Sequence, residues 1–382
     1  MTIYIAVFAV LFFVAIIFDI LPFRLSPKLE FAIFSFLTVY LMLFAALRTT
    51  GLEADYSRYR EMFYEISSIK SLSRYSGYSI EYGYMLFNRL FMGSSYYTFT
   101  AALVLVTVLP KVIYIYTRCS RKFIGLAYYF ALVFIQNDMG LLRQSIASGI
   151  LYYAMDALSE GKRLKFTAIV LLACTFHSSA VLMFLLLLTG TKHYSLRRCL
   201  CYTALCLAGA FILYMYDAVQ YFDLLNSFMS EQITFVGKVE HYLNNINQGD
   251  IGLQAVLSEL RRILLLIVFA HLLKITQQHQ CTEAYRKRIR VYYNTFLLSV
   301  LIPSLFMHLG GLVSHRGVTI FRPTEIFLFS ELFTGIRAKT LSADRSIAER
   351  LLLMILMGYL CVHNIVNVLT GYEGYIPYTW EL

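Results

Sequence analysis

The chain has 382 residues, of which 59% are hydrophobic and only 15% charged, with a formal net charge of +10. That balance, spread along the whole length, excludes a soluble globular domain and indicates a polytopic helical membrane protein. The positive charge invites a nucleic-acid reading, but most of it falls in short loops between apolar segments, so no nucleic-acid partner is expected.

A helix needs roughly 20 apolar residues to cross ~30 Å of hydrocarbon. Windows near that length recur at 2–22, 31–47, 95–116, 123–137, 143–158, 199–216, 255–275, 291–309, 323–336 and 349–369. The first has neither a basic leader nor a small-residue cleavage site and is expected to be a retained span. The expected fold is all-α, a single transmembrane domain over residues 1–382 with about ten full spans plus re-entrant half-helices.

Orientation follows from the loops. Arg24 and Lys28, the run Arg118, Arg121 and Lys122, Lys162 to Lys165, Lys192 to Arg198, Lys274 to Arg290, and Arg337 to Arg350 occupy alternate connections, which the positive-inside rule assigns to the cytoplasm. Both termini and the larger loops at 48–83 and 217–254 then lie outside. On that topology the outer face carries Arg48, Arg58, Arg60, Arg74, Arg89, Arg143, Arg261, Arg262, Arg316 and Arg322 against only Lys70 and Lys238. Arginine offers a planar fork that fits phosphate oxygens bidentately, so an anionic ligand such as a pyrophosphate is expected at this boundary. The plainer alternative pairs several of these arginines with Glu53, Glu61, Glu65 and Glu259, or with lipid headgroups.

In the first outer loop, Tyr56, Tyr59, Phe63 and Ile66 recur at helical spacing with charges between them, which predicts an amphipathic helix along the membrane interface. Asp55 stands at its start, either as an N-cap or as a site residue. Glu81-Tyr-Gly leads into a helix over about 84–92, too short to span, and places an acid at the mouth of a half-helix. Arg143 and Gln144 open the helix after residue 142. Ser145 and Gly149 give that helix a small-xxx-small packing face, and packing requires neither Arg143 nor Gln144. The stretch Phe166–Gly190 has basic loops at both ends and cannot cross twice as full helices. It is expected to break at Thr175-Phe-His177-Ser-Ser179, which leaves His177 either a satisfied interior histidine or a catalytic one. His315-Arg316 and Arg322 lie before a late span.

The seven cysteines, Cys119 to Cys361, fall in spans or cytoplasmic loops and have no metal-ligand spacing. There is no Walker loop, HExxH, dinucleotide fingerprint or Asp-x-Asp pair, so neither a cofactor nor a metal is expected.

The order Arg48…Asp55-Tyr56-x-x-Tyr59, Glu81-Tyr-Gly-Tyr84, Leu142-Arg143-Gln144-Ser-Ile-Ala147, Phe176-His177-Ser-Ser-Ala180 and then the arginines before a late span resembles the EpsG family of Wzy-type polysaccharide polymerases over about residues 40–336. The resemblance implies a glycosyltransferase-C-like enzyme of the bacterial inner membrane with its active site toward the periplasm. Such an enzyme polymerises O-antigen or exopolysaccharide repeat units, with a polyprenyl-pyrophosphate-linked chain as donor and a lipid-linked unit as acceptor. Membrane lipids and a chain-length regulator are the other partners it suggests. Arg143, Arg316 and Arg322 would then hold the pyrophosphate, and Arg48 would organise Asp55 or Glu81. Tyr56, Tyr59 and Gln144 would line the substrate, and Glu81 or His177 would be the base, a choice the residues leave open. A lipid-linked-oligosaccharide flippase and an O-antigen ligase are the alternatives. No internal repeat of the kind many transporters show is visible.

Overall fold

The structure is a computed structural model. It describes residues 1–21, 23, 25–47, 56–69, 80–215, 253–278, 281–306, 319–338 and 343–371. Among these residues every element is helical, and five helices are long and apolar enough to cross a membrane: Thr2–Ile20, Pro27–Ala46, Tyr96–Arg118, Leu196–Leu213 and Glu349–Thr370. The chain is thus a multi-pass helical membrane protein. The described residues of the other expected windows are almost all helical too, but those helices are shorter, irregular or interrupted by charge. Two compact units are present, one of residues 1–154, 168–177 and 326–382, the other of residues 155–167 and 178–325.

In the first unit, α1 (Thr2–Ala15) runs on into a π-helical turn at Ile16–Ile20 and packs on α6 (Lys122–Tyr129). Asp19, at the end of that turn, accepts from the Ile124 amide at 2.8 Å and so satisfies one of the orphan donors at the start of α6. α2 (Pro27–Ala46) begins with Ser26 as N-cap and Pro27 in its first turn, a preorganised start, and packs against α5 (Tyr96–Arg118).

α3 (Tyr56–Ser68) is the expected amphipathic helix. Its buried face is Tyr59, Met62, Phe63 and Ile66, at spacings of three and four. That face joins Tyr84 of α4 (Tyr82–Arg89), Tyr96, Phe99 and Leu103 of α5 and Ile146 of α7 (Leu142–Ser159) in one cluster. Phe63 and Phe99 stack with ring centroids 4.7 Å apart. The cluster is what anchors α4, only eight residues long and unable to hold itself as an isolated helix.

α6 continues as a π-helix over Phe130–Asp138, with every residue buried. The wider turn leaves backbone groups without their usual partners, and Asn364 of the last helix donates its Nδ2 to the Ala131 carbonyl at 2.6 Å. α8 (Arg163–Cys174) ends where the break was expected. Residues 175–177 form a turn, and a 3₁₀ helix resumes at Ser178 and runs to Leu185.

In the second unit, that 3₁₀ helix leads through α9 (Leu186–Thr189) to Gly190, whose φ of +51° ends the run. α10 (Leu196–Met215), α11 (Leu253–Gln278) and α12 (Glu283–Leu305) pack against one another, with Thr282 capping α12. Asn294 of α12 donates to the carbonyls of Gly190 (2.8 Å) and Lys192 (3.0 Å), so the turn before α10 is held by a buried amide. The remaining helices belong to the first unit: all but the first two residues of α13 (Thr324–Ala338), and α14 (Ala343–Gly371), which packs there on the π-helix.

Candidate functional site

Glu81 occupies the N-cap position of α4, with extended backbone at φ −70° and ψ 140°, yet its side chain does not cap its own helix. An acid there would ordinarily bond the first free amides. Instead Oε2 accepts from Arg143 Nη1 at 2.7 Å, and Oε1 lies 3.4 Å from Nδ1 of His177. The carboxylate is only 8% exposed, while the arginine and histidine keep about a fifth of their side-chain surface open. One buried acid therefore joins three segments far apart in sequence, all within the first unit.

Each partner is delivered by its local structure. Arg143 sits in the first turn of α7, at the positive end of the helix dipole, where a cation is unfavourable for the helix itself. Its partners compensate, because besides Glu81 it donates to the Tyr59 side chain of α3. His177 lies in the turn after α8, with its amide donating to Ala173 O at 3.0 Å. That turn is tied to the start of α4 by a bond from Gly83 N to Thr175 O at 2.8 Å. A Cβ at Gly83 would lie 2.5 Å from Thr175 Oγ1 and 2.7 Å from its carbonyl oxygen, so only glycine lets the two segments meet this closely. Phe176 packs on the aromatic cluster and holds the other side of the turn. Tyr84, fully buried, forms a neutral wall: burial first, then Tyr59 and Tyr96 beside it, pushes its phenol well above the usual range.

The structure thus brings together Glu81, His177, Arg143 and Tyr59. Gln144 is buried beside Arg143 on the same helix turn. Arg48, Asp55 and Arg316, and the side chain of Tyr56, lie outside the described residues.

Arg322 belongs to a second cluster, in the second unit. Its Nε lies 3.7 Å from Glu325 Oε1, and Arg261 Nη2 lies 3.5 Å from the same oxygen. Arg262 pairs with Glu259 at 2.8 Å, and Glu259 accepts from Ser304 at 2.5 Å. Arg262 thus pairs with Glu259, one of the acids the plainer alternative named, whereas Arg261 meets Glu325, which it did not name. Among the described residues, this cluster brings three arginines to two acids.

Sequence reasoning passed over Glu325, Gly83 and the Lys111–Asp138 pair. Lys111 had a readable signal, a lone lysine inside an apolar helix. Gly83 had none, because its role depends on a contact 92 residues away.

Neither curated proteins nor solved structures provide a significant match. The sequence profile of the EpsG family, in contrast, matches residues 31–380, nearly the whole length, and the chain belongs to that family.

Proposed function

We propose that the protein is a membrane glycosyltransferase that polymerises polyprenyl-pyrophosphate-linked oligosaccharide repeat units, on the outer face of a bacterial inner membrane. Membership of the EpsG family supports a polysaccharide polymerase at the coarse level. The observation that carries the finer reading is Glu81 held between Arg143 and His177.

In the reaction, the anomeric C–O bond to the lipid pyrophosphate breaks, the acceptor hydroxyl oxygen forms the new glycosidic bond, and its proton passes to a base. The Glu81 carboxylate is held by an arginine at 2.7 Å and is 8% exposed, so it is committed to that pair. With Nδ1 lying 3.4 Å from Glu81, the proton-accepting role is assigned to Nε2 of His177. Arg143, with about a fifth of its side chain open, would present its guanidinium to the departing pyrophosphate, a stabilisation that needs no metal. Arg322 and its neighbours, with Arg316, would hold phosphate of a lipid-linked substrate. Tyr59 fixes the guanidinium, and Gln144, with Tyr56, would line the sugar path.

The test uses the purified protein in nanodiscs with lipid-linked repeat units as both donor and acceptor. Lengthened lipid-linked chains and one equivalent of released polyprenyl pyrophosphate per bond are expected. His177→Ala and Glu81→Gln should each lower the rate on the order of 10²–10⁴-fold. Translocation of substrate without a new glycosidic bond would instead indicate a flippase, and transfer only to a lipid A core acceptor a ligase.

A further inference from the structure

A buried charged pair in the first unit takes no part in the site described above. Lys111 of α5 and Asp138, the last residue of the π-helix, form an ion pair with both side chains 0% exposed. Lys111 Nζ also donates to Ser145 Oγ at 2.6 Å, and Ser145 Oγ in turn donates to Asp138 Oδ1. The other carboxylate oxygen accepts from the Tyr129 hydroxyl at 2.5 Å. The lysine stem runs along the small-xxx-small face of α7: a Cβ added at Gly149, one turn beyond Ser145, would stand 3.5 Å from Lys111 Cγ and 3.7 Å from Cε, at ordinary van der Waals distance.

Burying such a pair is a poor way to gain stability. Desolvation offsets the Coulomb attraction, and a well-packed apolar pair of the same volume is often as stable or more so. In a helix apolar enough to span a membrane, an ionisable side chain is a functional-site hypothesis by default. What the pair supplies that leucines would not is direction. It joins α5, the end of the π-helix and the first turn of α7 through hydrogen bonds of fixed geometry. Ile146, the neighbour of Ser145, holds the same turn only by non-directional contact with the aromatic cluster. Apolar contacts alone permit the turn to rotate or slide.

Ser145 is two residues from Arg143, in the turn where a cation opposes the helix dipole. We propose that the Lys111–Asp138–Ser145 network is a positioning clamp that fixes the first turn of α7, so that the Arg143 guanidinium is held at Glu81 and at the substrate phosphates. The clamp touches no substrate. Its part in catalysis rests on the polymerase reading above, while its mechanical part does not.

The test compares the wild type with Lys111→Met/Asp138→Asn, a double variant that leaves no orphan charge, in nanodiscs. With the thermal midpoint retained, amide hydrogen exchange over residues 141–147 should quicken on the order of tenfold or more, while the rest of α5 and α7 stays protected. In the polymerisation assay kcat should fall on the order of 10²-fold with KM little changed, as a misplaced transition-state contact requires. In an Arg143→Ala background the same double substitution should add almost nothing, because both act through one group. Ser145→Ala, which removes one leg and neither charge, should move exchange and kcat in the same direction by less, and it decides the matter if the double variant fails to fold. Unchanged exchange over 141–147, a wild-type kcat, or losses that multiply fully with Arg143→Ala would each overturn the clamp. If the wild type lengthens no chains at all, the polymerase reading falls and the exchange measurement still decides the mechanical clamp.

Discussion

At the residue scale, the site turns on geometry that charge alone does not reproduce. Lysine at position 143 keeps a cation beside Glu81 but loses the planar fork that would meet a phosphate with two donors. Arg143→Lys is therefore expected to fail nearly as badly as Arg143→Ala, on the order of 10²–10³-fold in rate, while the protein still accumulates in the membrane. The length of the surface polysaccharide ladder at matched protein levels reads this out, and a normal ladder from the lysine variant would demote Arg143 to a headgroup contact. Tyr59→Phe should separate the two roles of that tyrosine. The ring stays packed 5.9 Å from Tyr84, so the aromatic cluster is kept, but the bond to Arg143 is lost, which should lower the rate about tenfold for a stability cost of only about 1–2 kcal/mol.

The next scale up is the element, where Gly83 links two otherwise independent pieces, the start of α4 and the turn after α8. Gly83→Ala places a methyl within 2.7 Å of a backbone carbonyl, which no side-chain rotation relieves. The expected cost is about 1–3 kcal/mol of stability, together with loss of activity as His177 moves off Glu81. Adding Thr175→Ala should recover little, because the carbonyl clash remains. Wild-type chain lengthening by Gly83→Ala would mean that the approach of these segments is dispensable. Phe63→Ala in α3 should cost about 3–5 kcal/mol, since it empties the centre of the cluster on which α4 depends. Its activity loss should track its fall in thermal midpoint, unlike that of Tyr59→Phe.

For the whole molecule, the alternation of basic loops makes a directional claim. With the seven native cysteines replaced, a single cysteine at Ser68, at the end of α3, should react with an impermeant thiol reagent added to intact spheroplasts, and one at Ser195, in the turn before α10, should not. Labelling of Ser195 with protection of Ser68 would invert the topology. Because arginines are assigned the electrostatic work, polymerisation should survive EDTA. An activity that vanishes with the chelator and returns with magnesium would mean that a metal site has been missed.

Composition and hydropathy already determined that this chain is a helical membrane protein, because no soluble core of this length tolerates so little charge. Local patterns went further. The spacing of Tyr59, Phe63 and Ile66 marked the buried face of α3, the basic ends of 166–190 required a break near His177, and the small-residue face after Arg143 marked close packing. These features are readable because each depends on residues within a few turns of one another. Only the tertiary structure decided that Glu81 faces both Arg143 and His177, since those contacts span 62 and 96 positions and no local rule sets their distance. It also decided that Gly83 is a contact glycine, that Arg261 and Arg262 are paired, and that the small face of α7 shelters a lysine. Such facts depend on which helices meet and at what height, and that is settled by packing among distant apolar faces.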